Sequence, residues 1–73
     1  MDSERHLEAA RRHEAAAESH DRLAKLWHER GDRERASLQH ALADHERHGA
    51  TLERRWAALI ADENGGIRGR RSR

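Results

Sequence analysis

A single glycine–aspartate pair, Gly31-Asp32, interrupts a chain that otherwise consists almost entirely of helix-forming residues. Glycine readily adopts the left-handed conformation that ends a helix, and aspartate is among the preferred residues for capping the start of the next one. A connection this short folds two consecutive helices back on one another as an antiparallel hairpin. The sequence therefore predicts a long helical hairpin, with helices over about residues 3–30 and 33–62.

Residues that would oppose an all-helical fold are nearly absent. The 73 residues include no proline, and Thr51, Ile60 and Ile67 are the only β-branched residues. Proline breaks helices and β-branched residues favour strands. We therefore expect an all-α hairpin domain over residues 1–62 and no β-sheet.

Composition also limits the chemistry and the location open to the chain. It contains no cysteine, which excludes disulfides, thiolate metal sites and thiol nucleophiles. No apolar run approaches the ~20 residues that span a bilayer, and residues 1–4 do not resemble the start of a signal peptide. We therefore expect a cytoplasmic protein without a membrane partner.

Heptad spacing predicts which side chains face the other helix. On the second predicted helix, large apolar residues recur in two neighbouring rows, and the alanine row 36, 43, 50 and 57 flanks them. On the first, alanines and Leu23 share a face with the histidines at 6, 13 and 20. Folding at Gly31-Asp32 brings residues whose numbers sum to about 65 opposite each other. The predicted packing and interface residues are Leu23, Trp27, Leu38, Leu42, Gly49, Leu52, Trp56 and Leu59.

Two further features of the predicted packing are a glycine within the second helix and a small number of large apolar side chains. Gly49 lies within a predicted helix, where glycine costs about 1 kcal/mol relative to alanine, so a close approach of backbones is expected there. The large apolar side chains are also few for a hairpin of this length, and small domains usually need a partner to be stable. We therefore expect a homo-oligomer, most simply two hairpins forming a four-helix bundle or coiled-coil assembly.

The residues around the turn resemble a single tetratricopeptide repeat hairpin. The pattern is Leu23-Ala24-x-x-Trp27-x-x-x-Gly31-Asp32-x-x-x-Ala36, followed by Ala43. The resemblance covers roughly residues 20–43 and implies the family's helix packing around the turn. Both predicted helices are longer than the repeat and no second copy follows, whereas a peptide-binding groove needs about three repeats. The resemblance therefore does not imply the peptide-binding role of the family.

Seven histidines raise the question of a metal site. His20 and His45 are expected to face each other, and His48 follows His45 by one turn. Converging imidazoles could hold Zn²⁺ or another transition metal. The alternative is that these histidines border the packed surface, hydrogen-bonded or partly solvated, with no cofactor. Burial at the packed surface would favour the neutral form of these histidines. Stability would then fall as the pH is lowered and the histidines become charged.

Residues 63–73 differ from the rest of the chain in being rich in glycine and arginine, and we expect them to form a flexible basic tail. Apart from the four arginines of this tail, the chain has eleven basic and fourteen acidic residues. Clustered arginines can bind phosphates without reading sequence. The candidate residues for non-specific nucleic-acid binding are Arg68, Arg70, Arg71 and Arg73.

Enzymatic activity is not expected, because a two-helix hairpin offers neither a concave pocket nor free backbone donors for an oxyanion. The sequence favours a small interaction or assembly module that acts through self-association or through a helical protein partner. Two alternatives are a nucleic-acid-associated protein that uses the arginine-rich tail and a histidine-mediated binder of a transition metal.

Overall fold

The chain folds into two antiparallel helices joined by a tight turn. The computed structural model describes the backbone of residues 2–71 and the side chains of residues 3–63. Helix α1 comprises Asp2–Glu29 and helix α2 comprises Arg33–Arg71. Contacts of His6 with Glu53 and of His20 with Gln39 show that the helices run in opposite directions. No strand occurs in the described backbone, so the predicted all-α hairpin is confirmed.

Gly31 and Asp32 form the turn by closing one helix and opening the next. Gly31 has a φ of +81°, and its amide donates to the carbonyl of His28 at 2.9 Å. The amide of Asp32 donates to the carbonyl of Trp27, also at 2.9 Å. These two bonds form a Schellman motif, which satisfies carbonyls at the end of α1. The Asp32 carboxylate then accepts from the amide of Arg35 at 2.9 Å, which caps α2.

Helix α2 continues past its predicted end. The sequence predicts an end near Asp62, before Asn64-Gly65-Gly66, whereas the helix extends to Arg71. A glycine costs a helix about 1 kcal/mol relative to alanine, but unlike proline it keeps its backbone donor and causes no ring clash. Two glycines therefore weaken the helix without ending it. The flexibility expected for residues 63–73 stays a prediction, because their side chains lie almost wholly outside the described part.

The core of the hairpin consists of alanine. On each helix the buried alanines repeat every seven residues, so they form one continuous line of contact with the partner helix. None of them is more than 5% exposed, and no larger side chain is fully buried among those that the structure describes. Because helix separation depends on the side chains at the contact, alanine lets the two backbones approach closely. The core residues are Ala10, Ala17, Ala24, Ala36, Ala43, Ala50 and Ala57.

The leucines and Trp56 that were predicted to face the other helix are exposed instead. Their exposed fractions range from 41% at Leu23 to 60% at Leu38. Relative to the prediction, α2 is turned by roughly a third of a revolution about its axis, which brings its alanine row to the contact. The alanine rows are unbroken on both helices, whereas the predicted leucine rows are interrupted by His45 and Gly49. The predicted packing residues that are exposed are Leu23, Leu38, Leu42, Leu52, Trp56 and Leu59.

Candidate assembly interface

Three histidines of α1 pair with three residues of α2 along one edge of the alanine core. Each pair follows the next by seven residues on both helices, a spacing of about 10.5 Å. An ionised carboxylate can only accept a hydrogen bond, so the histidine Nδ1 opposite it carries the proton. We term these pairs the rungs. From Nδ1 to the accepting oxygen they are His6–Glu53 at 2.5 Å, His13–Glu46 at 2.6 Å and His20–Gln39 at 2.7 Å.

The middle rung accounts for the glycine within α2. The far edge of the His13 ring lies over Gly49, where an added Cβ would be 3.2 Å from both Cε1 and Nε2 of the ring. That distance is shorter than ordinary van der Waals contact, so a side chain at position 49 would displace the ring. The expected close approach at Gly49 is thus made by a histidine side chain rather than by a backbone. At the neighbouring rung, the His6 ring packs edge-on against Trp56 with centroids 6.0 Å apart.

Trp27 continues the histidine row towards the turn, seven residues after His20. Two guanidinium groups cover its ring, with the Cζ of Arg30 at 5.6 Å and that of Arg35 at 5.0 Å from the centroid. Both distances are within the range of cation–π attraction. Trp27 therefore packs locally at the turn and stays half-buried, instead of facing Leu38 as the predicted register requires.

The opposite edge of the core carries charged pairs that remain in solvent. Arg47 contacts Asp21 at 2.8 Å, and Arg54 contacts Glu14 at 2.7 Å. The hydrogen bond from Arg47 lowers the pKa of Asp21, and Asp21 in turn raises the pKa of Arg47. Exposed ion pairs of this kind contribute little to stability. This edge forms a charged, solvated side of the hairpin.

The large apolar residues lie on the side of the rungs. Heptad spacing places the row of Leu42, Gly49 and Trp56 next to the glutamate row of the rungs, and the row of Leu38, Leu52 and Leu59 beyond it. On α1, Leu23 occupies the first of these positions, next to the histidine row, and Leu26 occupies the second. We term this side the apolar face. Its seven large residues are Leu23, Leu26, Leu38, Leu42, Leu52, Trp56 and Leu59, each at least 41% exposed.

The rungs run along the middle of the apolar face, between the rows contributed by the two helices. The side chains of His13 and Glu46 are 38% and 25% exposed. The hydrogen bond from His13 is the main cause that lowers the pKa of Glu46, and His20 and His45 act in the same direction by charge. Glu46 is therefore held in its ionised form. His13 is both hydrogen-bonded and partly solvated, as expected for a histidine that borders the packed surface.

The residues predicted to bind a metal are not brought together. His20 pairs with Gln39 rather than facing His45, and His45 and His48 are both exposed. The rotation of α2 that brings its alanines inward is also what turns His45 away from α1. Across the described residues, no three histidine, aspartate or glutamate side chains form a group that could hold a metal ion.

Two further predictions concern nucleic-acid binding by the tail and the absence of a membrane partner. The side chains of Arg68, Arg70, Arg71 and Arg73 lie outside the described part, so nucleic-acid binding by the tail stays a prediction. Neither helix, over its described length, is long and apolar enough to cross a membrane.

The fold places the chain in the class of antiparallel two-helix hairpins, here with an alanine core and one exposed apolar face. Comparisons with protein-family models, curated proteins and solved structures found no match to this chain. The resemblance of residues 20–43 to a tetratricopeptide repeat hairpin stays a prediction.

Proposed function

We propose that this protein is a small non-enzymatic assembly module that self-associates through its apolar face, two hairpins packing together as a four-helix bundle. The observation that supports the proposal is the exposure of the large apolar residues, at 41–60%, in a hairpin whose core, over the described side chains 3–63, buries only alanine. Monomeric proteins rarely leave so many large apolar side chains exposed on one contiguous face.

Hydrophobic stabilisation favours burial of the apolar face by a second copy of the chain. A buried methyl contributes about 0.8 kcal/mol, so the seven core alanines contribute about 6 kcal/mol. Moving a half-exposed leucine to a buried position contributes about 1 kcal/mol. A dimer covers fourteen large apolar side chains, seven from each copy, so each chain gains about as much hydrophobic stabilisation from the interface as from its own core.

The dimensions of the face suit a second copy of the chain. The hairpin is 17 Å wide, and the 28 residues of α1 extend over about 42 Å. The resulting area of about 700 Å² is close to the ≈ 800 Å² that each partner contributes to a standard interface. In a two-fold dimer both copies use the same patch, so one apolar face per chain is sufficient. A formal net charge of +1 adds little repulsion between copies.

Light scattering after size exclusion tests the proposal through the solution mass. We expect about 17 kDa, twice the 8.5 kDa of one chain. Replacing Leu52 by Gln removes one apolar contact from each copy, a loss of about 2 kcal/mol per dimer, which corresponds to about a 30-fold weaker Kd.

The matched control is Leu7→Gln. Leu7 is 38% exposed but shares a heptad row with Glu14 and Asp21 on the charged side, so the Kd should stay within about threefold of the original. Equal weakening by both substitutions would show that the apolar face is not the interface. A folded monomer at all concentrations would overturn self-association and would leave this face to a helix of another protein.

A further inference from the structure

We infer that self-association through the apolar face takes up protons, so that the assembly tightens as the pH falls from 8 towards 6.5. The inference rests on the proposed function, because the face that a second copy covers is the one that carries the rungs. It concerns two of the three rungs, His6–Glu53 and His13–Glu46, which have a carboxylate as acceptor.

In the single hairpin these two rungs are still in contact with water. The side chains of His6 and Glu53 are 30% and 29% exposed, and those of His13 and Glu46 are 38% and 25% exposed. They lie between the row of Ala9, Ala16 and Leu23 on α1 and the row of Leu42, Gly49 and Trp56 on α2. A second copy packed on these two rows therefore also covers the rungs and removes most of their remaining water.

Removing water changes which protonation state of a rung is favoured. With a neutral imidazole, the rung carries one uncompensated negative charge, and covering an unpaired charge is strongly unfavourable. With one more proton, the rung carries no net charge and keeps its short hydrogen bond, as a histidinium–carboxylate pair. The interface thus favours the protonated rung, and the dimer binds more protons than two separate chains. By linkage, lowering the pH must strengthen association.

The neighbouring titratable groups set the range in which this sign holds. Glu46 faces His13 from α2, with His20 and His45 close enough to act on it, while Glu53 faces His6 beside Trp56. The third rung pairs His20 with the uncharged Gln39, so a proton there adds an uncompensated charge and opposes association. Imidazole ordinarily titrates near pH 6.5. The range from pH 8.0 to 6.5 lies on the basic side of that value, and within each chain two carboxylate rungs act against one amide rung.

The chain itself supplies the matched variant. In Glu46→Gln/Glu53→Gln, both carboxylate rungs become copies of the His20–Gln39 pair, which already fits the same geometry. Sedimentation equilibrium over a concentration series, at pH 8.0 and 6.5 and constant ionic strength, gives the Kd of each protein. All histidines are retained, so any difference in pH dependence is due to the two carboxylates.

We expect the Kd of the natural chain to fall at least tenfold from pH 8.0 to 6.5. The double variant should change less than threefold and should associate more tightly than the natural chain at pH 8.0. The single variant Glu53→Gln should give an intermediate dependence, and it provides the test if circular dichroism shows that the double variant has lost helicity.

The outcomes separate this inference from the proposed function. A natural chain that dimerises with the same Kd at both pH values, or a variant that keeps the natural pH dependence, overturns proton uptake and leaves self-association in place. A natural chain that is monomeric at both pH values overturns both. A dimer that weakens as the pH falls overturns the sign and shows that His20 and His45 dominate.

Discussion

The substitution Gly49→Ala has two opposing effects on stability: it raises helix propensity, and it brings a new Cβ against the His13 ring. Alanine is favoured over glycine within a helix by about 1 kcal/mol. The new Cβ, however, would lie 3.2 Å from the His13 ring, so the ring must move by a few tenths of an ångström. That ring is held at its other edge by the 2.6 Å hydrogen bond to Glu46. Hydrogen bonds to charged groups contribute about 1.5–3 kcal/mol, and weakening this one offsets the helical gain.

We therefore expect Gly49→Ala to leave the free energy of unfolding unchanged or to lower it by up to about 1 kcal/mol. In a His13→Ala background the obstacle is gone, and the same substitution should raise the free energy of unfolding by about 1 kcal/mol. The coupling between the two positions is then about 1–2 kcal/mol. Urea denaturation followed by circular dichroism, at one fixed protein concentration, measures all four proteins of the cycle.

A second background controls for effects that do not involve the ring. His20→Ala also removes a rung but not the ring that covers Gly49, so Gly49→Ala should behave there as it does in the natural chain. Stabilisation by about 1 kcal/mol in every background would refute the contact between His13 and position 49.

The turn and the carboxylates provide further predictions. Asp32→Ala should lower the free energy of unfolding by about 1 kcal/mol in thermal denaturation, whereas Asp32→Asn retains a capping oxygen and most of the stability; equal losses would contradict the capping role. Gly31→Ala should cost about 1–2 kcal/mol, because φ is +81° there and a Cβ is strained in that region. Hydrogen bonds from His13 and from the Arg35 amide lower the pKa of Glu46 and Asp32. Their stabilising contribution is therefore complete above the unfolded values of 4.5 and 3.8 and is lost as the pH falls through the lower folded values. The Tm should fall between pH 5 and pH 3, and a constant Tm over that range would contradict the pairing.

The turn could be predicted because its determinants are local. A left-handed residue and a helix-capping carboxylate are needed at adjacent positions, and Gly31 and Asp32 are the residue types that supply them. The helix bounds follow from the same logic except at the end of α2. There Gly65 and Gly66 lower helix propensity, and propensity alone does not determine where a helix ends.

The facing rows could not be predicted from apolarity alone, because two arrangements satisfy the heptad pattern. Ranking residues by size places the rows of Leu38 and Leu42 inside, whereas close packing of two isolated helices favours the unbroken alanine rows. A signal that distinguishes them was present in the sequence. Histidines at 6, 13 and 20 and acceptors at 39, 46 and 53 share one spacing and run in opposite order, so only one rotation of α2 lets all three pairs form.

Leu52, Trp56 and Leu59 are predicted from the sequence to pack against the other helix or at an interface. The structure exposes all three, so they do not pack within the hairpin and their interface role stays a prediction. Side-chain size in the sequence indicates that a residue will be covered. It does not indicate whether the same chain or another one covers it.

An alanine core reverses the usual relation between the size of a residue and its sensitivity to mutation. Truncating a leucine of the apolar face leaves the interior of the hairpin untouched. Adding a single methylene at Ala43 instead increases the distance between α1 and α2 near their midpoint. Because helices are rigid, the increased separation extends along their whole length. The rungs on either side then lengthen together. The hairpin therefore depends most on its smallest side chains, and a map of its mutational tolerance would be the inverse of that of an ordinary globular domain.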